Sequence, residues 1–161
     1  MKAVRVVTIA LAASAIGCAS DRPTPTSIEA NLVTQTGLLQ CSSLPSSSVK
    51  QTIGHAGGII QIGPHVLVVP PGALTARVTI AAKTAGGTGN AVELKPAGLI
   101  FLTPAYLTLS YANCVSLTVT KEVAYTTDLL AIIAILPSSD NPIAQVVIGQ
   151  ISHFSNYAIA F

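Results

Sequence analysis

From Ile53 onward the apolar positions fall in short runs rich in β-branched residues, separated by Gly, Pro, Asn and Asp. That is the pattern of strands joined by turns. The runs are "GGIIQIG", "PHVLVVPPGAL", "RVTIAAK", "AVELKP", "LIF", "AYLTLSYANC", "SLTVTKEVAYTT", "LLAIIAIL", "IAQVVIGQI" and "SNYAIAF", with the loop "TAGGTGN" after the third. In "AYLTLSY", Leu107, Leu109 and Tyr111 alternate with Tyr106, Thr108 and Ser110, which predicts one buried face and one wet face. The run "LLAIIAIL" has no decisive period, and a buried helical turn and a half would also suit it. Its isoleucines, its shortness and the flanking Asp128 and Pro137 favour a strand. Nine or ten strands and no helix predict an all-β fold, a sandwich of two packed sheets.

Ahead of Ile53 the pattern changes. The chain begins "MKAVRVVTIALAASAIGC": two cations, Lys2 and Arg5, precede an apolar run from Val6 to Ile16, and small residues lead to Cys18. Such a run is too short for a permanent transmembrane helix and has the form of an export signal. Its last four residues, "AIGC", resemble the lipobox of bacterial lipoproteins. The resemblance implies cleavage before Cys18, which would then carry diacylglycerol on its sulfur and an acyl chain on its amine. Each buried methylene contributes about 0.8 kcal/mol, so several chains hold a protein to a bilayer. Ala19 follows in place of Asp. By the sorting rule of Gram-negative lipoproteins nothing then retains the protein at the inner membrane, and the expected location is the outer membrane of a bacterial envelope. From Ala19 to about Pro45 the chain is rich in Pro, Ser and Thr and reads as a flexible tether, with "IEANLVTQTGLLQC" able to pair as a first strand. The expected organisation is a signal peptide over 1–17, a lipid-anchored tether over 18–50 and the sandwich over 51–161.

The signal also changes the charge balance. The whole chain has eight basic and six acidic residues, a formal net charge of +2. Lys2 and Arg5 account for that surplus, so the chain from Cys18 is neutral and the sequence pI of about 8.5 describes the precursor. No basic stripe with interleaved aromatics remains, which argues against nucleic acid as a partner. The membrane, through the anchor, and an envelope protein are the expected partners.

With Cys18 acylated, Cys41 and Cys114 remain, and an oxidising compartment favours their pairing. Such a bridge would tie the start of the domain to its middle. Neither cysteine has another Cys or a His at ligand spacing, so metal binding is the poorer reading.

The stretches "GHAGGIIQIGPHVLVVPPGALTARVTI" and "AVELKPAGLIFLTPAYLTLSY" resemble the ZU-five domain of zonula occludens proteins, netrin receptors and ankyrins. The resemblance spans Ile53 to Tyr111 and rests on Gly57 and Gly58, the "VPPGAL" turn from Val69 to Leu74, "LKPAGLIF" and "PAYLTLSY". It implies a β-sandwich used chiefly as a protein-interaction module; its contact residues lie outside the matched motifs, so no partner carries over.

Candidate chemistry is sparse. His55, His65 and His153 have no zinc spacing, and the first two sit beside glycines as turn-edge imidazoles would. No paired carboxylates point to glycosidase chemistry, no G-x-S-x-G elbow is present and neither Gly-rich loop leads to a Lys-Ser/Thr pair. No cofactor is expected, nor an enzyme acting on external substrates. A carbohydrate- or ligand-binding sandwich is a weaker reading, since the chain has no Trp to form a platform.

The triplet His153-Phe154-Ser155 stands apart. It is similar to the self-cleavage sites of nucleoporin-type domains, of the ZU-five regions of a death-domain protein and of adhesion-receptor autoproteolysis domains. The resemblance implies Ser155 as nucleophile, His153 as general base and Phe154–Ser155 as the bond broken, by an N-to-O acyl shift to an ester on the Ser155 oxygen that water then hydrolyses. That chemistry requires a strained peptide. The structural alternative is a turn with Phe154 and Tyr157 anchoring the last strand, and it is the favoured expectation.

Overall fold

The computed structural model describes residues 37–161 apart from Gly86 and Ser116. The signal peptide, Cys18 and the first part of the tether lie outside the described residues. Eleven strands follow in order: β1 (Ser48–Ile53), β2 (Gly58–Ile62), β3 (His65–Val69), β4 (Val78–Thr84), β5 (Ala91–Lys95), β6 (Ile100–Ser110), β7 (Glu122–Thr126), β8 (Ile132–Ile135), β9 (Ser138–Asn141), β10 (Val146–His153) and β11 (Asn156–Ala160). They form a six-stranded sheet, β1-β4-β5-β11-β7-β8, and a five-stranded sheet, β2-β3-β6-β10-β9. Every ladder is antiparallel. The all-β sandwich is the architecture expected from the apolar runs.

The core lies between the sheets and is built from alternate residues of each strand. Leu67 and Val69 of β3, Leu107 and Leu109 of β6, Val92 and Leu94 of β5 and Tyr157 and Ile159 of β11 are all buried, as period-two patterning requires. The runs "LIF" and "AYLTLSY" join into the eleven-residue β6, which passes through Pro104. There the ladder to β10 jumps from Ala105↔Ile151 to Ile100↔His153. Pro104 therefore sits in an irregular stretch, where its missing N–H removes no ladder bond.

Two strands do not follow from the apolar pattern. β1 pairs with β4 over six residues, yet only Ile53 in it is buried, because an edge strand has little apolar face to show. β9 is "SSDN" and is held by its pairing to β10. The packed domain accordingly begins before residue 51. The Leu39 N–H donates to the Ile159 carbonyl (2.9 Å) and the Cys41 N–H to that of Thr88 (2.7 Å). The Leu39 side chain joins the main core. Leu38 lies on the outer face of the six-stranded sheet with Leu130, over the alanines Ala91, Ala124 and Ala158, which share one cross-strand row.

The glycine motif has a steric cause. Gly57 has φ of 71°, and a Cβ there would lie 2.7 Å from the Pro70 carbonyl carbon. The "GHAGG" turn and the "VPPGAL" turn thus press backbone on backbone, and the Gly72 N–H donates to the His55 carbonyl (2.8 Å). Only glycine allows that approach.

Candidate functional site

The triplet His153-Phe154-Ser155 forms the corner where the chain leaves one sheet for the other. His153 ends β10, which lies between β6 and β9, and Asn156 opens β11, which lies between β5 and β7. Phe154 and Ser155 make the whole crossing. The final strand is thus an interior strand of the larger sheet, paired on both sides.

The segment from Leu94 to Leu99 fixes this corner. The Phe154 N–H donates to the Leu99 carbonyl (2.8 Å), and the Phe154 carbonyl accepts from the Gly98 N–H (3.0 Å). The Ser155 carbonyl accepts from the Leu94 N–H (2.9 Å). The Phe154 ring is buried and meets Phe101 edge-on, with centroids 4.9 Å apart. Backbone and side chain together set the crossing.

His153 points along β11. Its Nδ1 lies 3.3 Å from the Tyr157 hydroxyl, and that hydroxyl donates to the His153 carbonyl at 2.5 Å. A phenol has one proton to give. With it on the carbonyl, the contact to Nδ1 is a hydrogen bond only in the tautomer that carries the ring proton on Nδ1. Burial, with Tyr125 adding to it, pushes the Tyr157 phenol well above its usual range, so it stays a neutral donor. The imidazole also meets the Tyr125 ring edge-on at 4.9 Å. Among the described residues no hydrogen bond joins His153 to the Ser155 hydroxyl. Among the described residues, the two non-glycine residues with positive φ, Leu130 and Gln145, lie outside the corner. What the corner does offer chemically is one donor, the Gly98 N–H, aimed at the Phe154 carbonyl oxygen, where an acyl shift would develop negative charge.

The other histidines lie elsewhere. His55 sits exposed in the turn between β1 and β2. His65 is not a turn-edge residue: it is fully buried, because it opens β3 on the inward parity shared with Leu67 and Val69. Its Nδ1 accepts from the Ser110 N–H at 3.1 Å, and its Nε2 has no partner. Burial lowers its pKa to about 4. Among the described residues no three His, Cys, Asp or Glu side chains are grouped to hold a metal ion. Cys41 and Cys114 form a disulfide across 73 residues of chain, beside Asn90, which donates to the Ser110 carbonyl (2.8 Å) and to the Asn113 side chain (2.7 Å).

Two polar groupings were not legible in the sequence. Lys121 is buried, with its ammonium donating to the Leu117 and Val119 carbonyls and lying 5.3 Å from the Tyr111 ring centroid. The Tyr111 hydroxyl donates to Asp140 at 2.6 Å; burial first, then that carboxylate, pushes the phenol up to about 12. The second is an open cleft of about 420 Å³ on the outer face of the six-stranded sheet, lined in part by Lys83, Glu93, Asp128 and Asn156. Glu93 binds Lys83 (2.6 Å) and Lys95 (2.8 Å), which hold its carboxyl below the usual range, Lys83 foremost. Asn156 donates to Asp128 at 2.6 Å. The spacing of Glu93 and Lys95 places both on one strand face, but Lys83 and Asn156 join them only through the strand register.

No family model matches the chain, and no curated protein matches it at a significant level.

Proposed function

We propose that this chain is a lipid-anchored protein of a bacterial cell envelope, most simply at the outer membrane, whose ZU-five-like sandwich serves a structural or protein-interaction role. The signal-like start and the "AIGC" before Ala19 support the anchor. The resemblance around "GHAGG" and "VPPGAL" supports the domain assignment. The observation that carries the non-enzymatic role is the corner itself. There the His153 Nδ1 faces the Tyr157 hydroxyl at 3.3 Å, and among the described residues His153 makes no hydrogen bond to the Ser155 hydroxyl that it would have to deprotonate. Labelling cells with a radioactive fatty-acid precursor tests the anchor. Wild-type chain takes up label and Cys18→Ser does not; an unlabelled wild type refutes the proposal.

A second reading, self-cleavage at Phe154–Ser155, is favoured by the Gly98 N–H at the Phe154 carbonyl (3.0 Å). If that bond broke, residues 155–161 would remain as β11, hydrogen-bonded on both sides. A break in the wild type that Ser155→Ala abolishes establishes this reading; an unbroken chain in both refutes it.

A further inference from the structure

The segment ahead of β1 meets the loop after β6 at one cross-strand pair. Cys41 and Cys114 stand opposite each other in an antiparallel bridge and carry the disulfide. The flanking bonds run from the Ser42 N–H to the Asn113 carbonyl (2.8 Å) and from the Val115 N–H to the Gln40 carbonyl (3.0 Å). The cysteines are therefore a non-hydrogen-bonded pair, the kind whose side chains come closest. An open cleft of about 310 Å³ reaches the bridge: both cysteines line it, with Ser42, Thr88 and Asn113. Cys41 is buried and Cys114 half-buried, so an incoming group meets Cys114 first.

Two features fit this bridge for opening and closing within the folded protein. First, the backbone aligns the pair without it. The two flanking bonds lie on either side of the sulfurs, the Cys41 N–H is held by Thr88 (2.7 Å), and the Leu39 side chain is in the main core. A disulfide stabilises chiefly by restricting the unfolded chain, so breaking it leaves this alignment in place. Second, each sulfur has a neighbour suited to its reduced form. The buried Asn90 sets its Nδ2 3.4 Å from the Cys114 Sγ, nearer than the Asn113 Oδ1 at 3.8 Å, and a donor so placed favours a thiolate. The Cys41 Sγ lies 3.6 Å from the Leu39 carbonyl oxygen, which can accept from a thiol.

We propose that Cys41–Cys114 is a reversible thiol–disulfide exchange site, open in the folded protein to an external dithiol. One thiolate of the donor attacks the Cys114 Sγ. The bond between the two cysteines breaks as a donor–Cys114 disulfide forms. Its electron pair leaves on the Cys41 sulfur, which takes a proton and donates it to the Leu39 carbonyl in a hydrogen bond. The donor's second thiolate then attacks the donor sulfur of the mixed disulfide. Cys114 departs as a thiolate beside Asn90, and the donor leaves as a cyclic disulfide. Once Cys114 is protonated, two electrons and two protons have passed from the donor to the bridge. An external disulfide reverses the sequence, because the ladder keeps the two thiols opposite each other. The inference rests on neither the anchor nor the fate of the Phe154–Ser155 bond.

The test is reduction of the full chain in its native state. Free thiols are first capped with N-ethylmaleimide, so an unacylated Cys18 is never counted and failure of the anchor stays separate. Dithiothreitol is then added without denaturant, and new thiols are read by mass after a heavier maleimide. The folded protein should gain two tags at a rate within about tenfold of that in urea, since access governs the rate, with its circular dichroism unchanged. Glutathione disulfide, added once the reductant is removed, should restore the bridged mass. The same reagent tests the entry sulfur. The Cys114 thiol of Cys41→Ser should form the mixed disulfide about tenfold faster than the Cys41 thiol of Cys114→Ser, each located by peptide mass. Tags that appear only in urea, a fold lost on reduction, or a Cys41 thiol as fast as Cys114 would overturn the proposal. The wild-type reduction decides it if either variant fails to fold.

Discussion

Gly57 shows how one residue can hold two turns together. A Cβ there collides with the backbone of Pro70, and an alanine would also be forced to keep φ near 71°. Neither cost can be relieved by rotating a side chain. Gly57→Ala should therefore lower stability by about 2–3 kcal/mol, read as a reduced urea midpoint, and an unchanged midpoint would refute the close approach. His65 is the second residue-level prediction. Its folded pKa of about 4 lies below the ordinary 6.5, so the unfolded chain takes up the proton first. Its contribution is complete above pH 6.5 and is lost as pH falls toward 4, by roughly 3 kcal/mol in all. His65→Gln should flatten the stability profile across that window, while the acid loss below it, where the Glu93 carboxylate becomes protonated, remains. A profile as steep as wild type would contradict the assignment. The inward parity of His65 was readable from "HVLVV". Its burial was not, because a neighbouring Gly63-Pro64 turn suggests exposure and the Ser110 N–H that satisfies it comes from a distant strand.

At the scale of elements, the apolar runs marked the strands that face the core, since alternation follows directly from burial. β1 and β9 escaped because edge and polar strands are held by ladder bonds and not by an apolar face. β8 was legible as a strand, yet it is an edge, with Ile133 and Ile135 half exposed. Composition cannot separate a strand buried on two faces from an apolar edge. The closing segment was legible as a strand but not as an interior one, because strand order depends on pairings across the whole chain. The Cys41–Cys114 bridge acts on the same scale, closing the early segment onto the loop after β6. Replacing both cysteines by alanine should cost about 2–4 kcal/mol in a chemical-denaturation experiment. A loss below ~0.5 kcal/mol would mean that the ladder bonds alone hold the segment.

For the whole molecule, sequence pattern gave the fold class and the chemistry-bearing triplet, while three-dimensional register decided what surrounds the triplet. His153 meets Tyr157 and Tyr125 because β10 and β11 lie in different sheets and turn toward each other at the corner. No spacing in "HFSNYAIAF" encodes that. We propose an anchored, uncleaved envelope domain whose last strand stays covalently joined to the rest. Intact-mass analysis of the protein extracted from the membrane fraction tests it most directly. The expected result is one species that runs from Cys18 to Phe161 and carries the added mass of its acyl chains. An unacylated mass, or a species ending at Phe154 together with a fragment of residues 155–161, would contradict it.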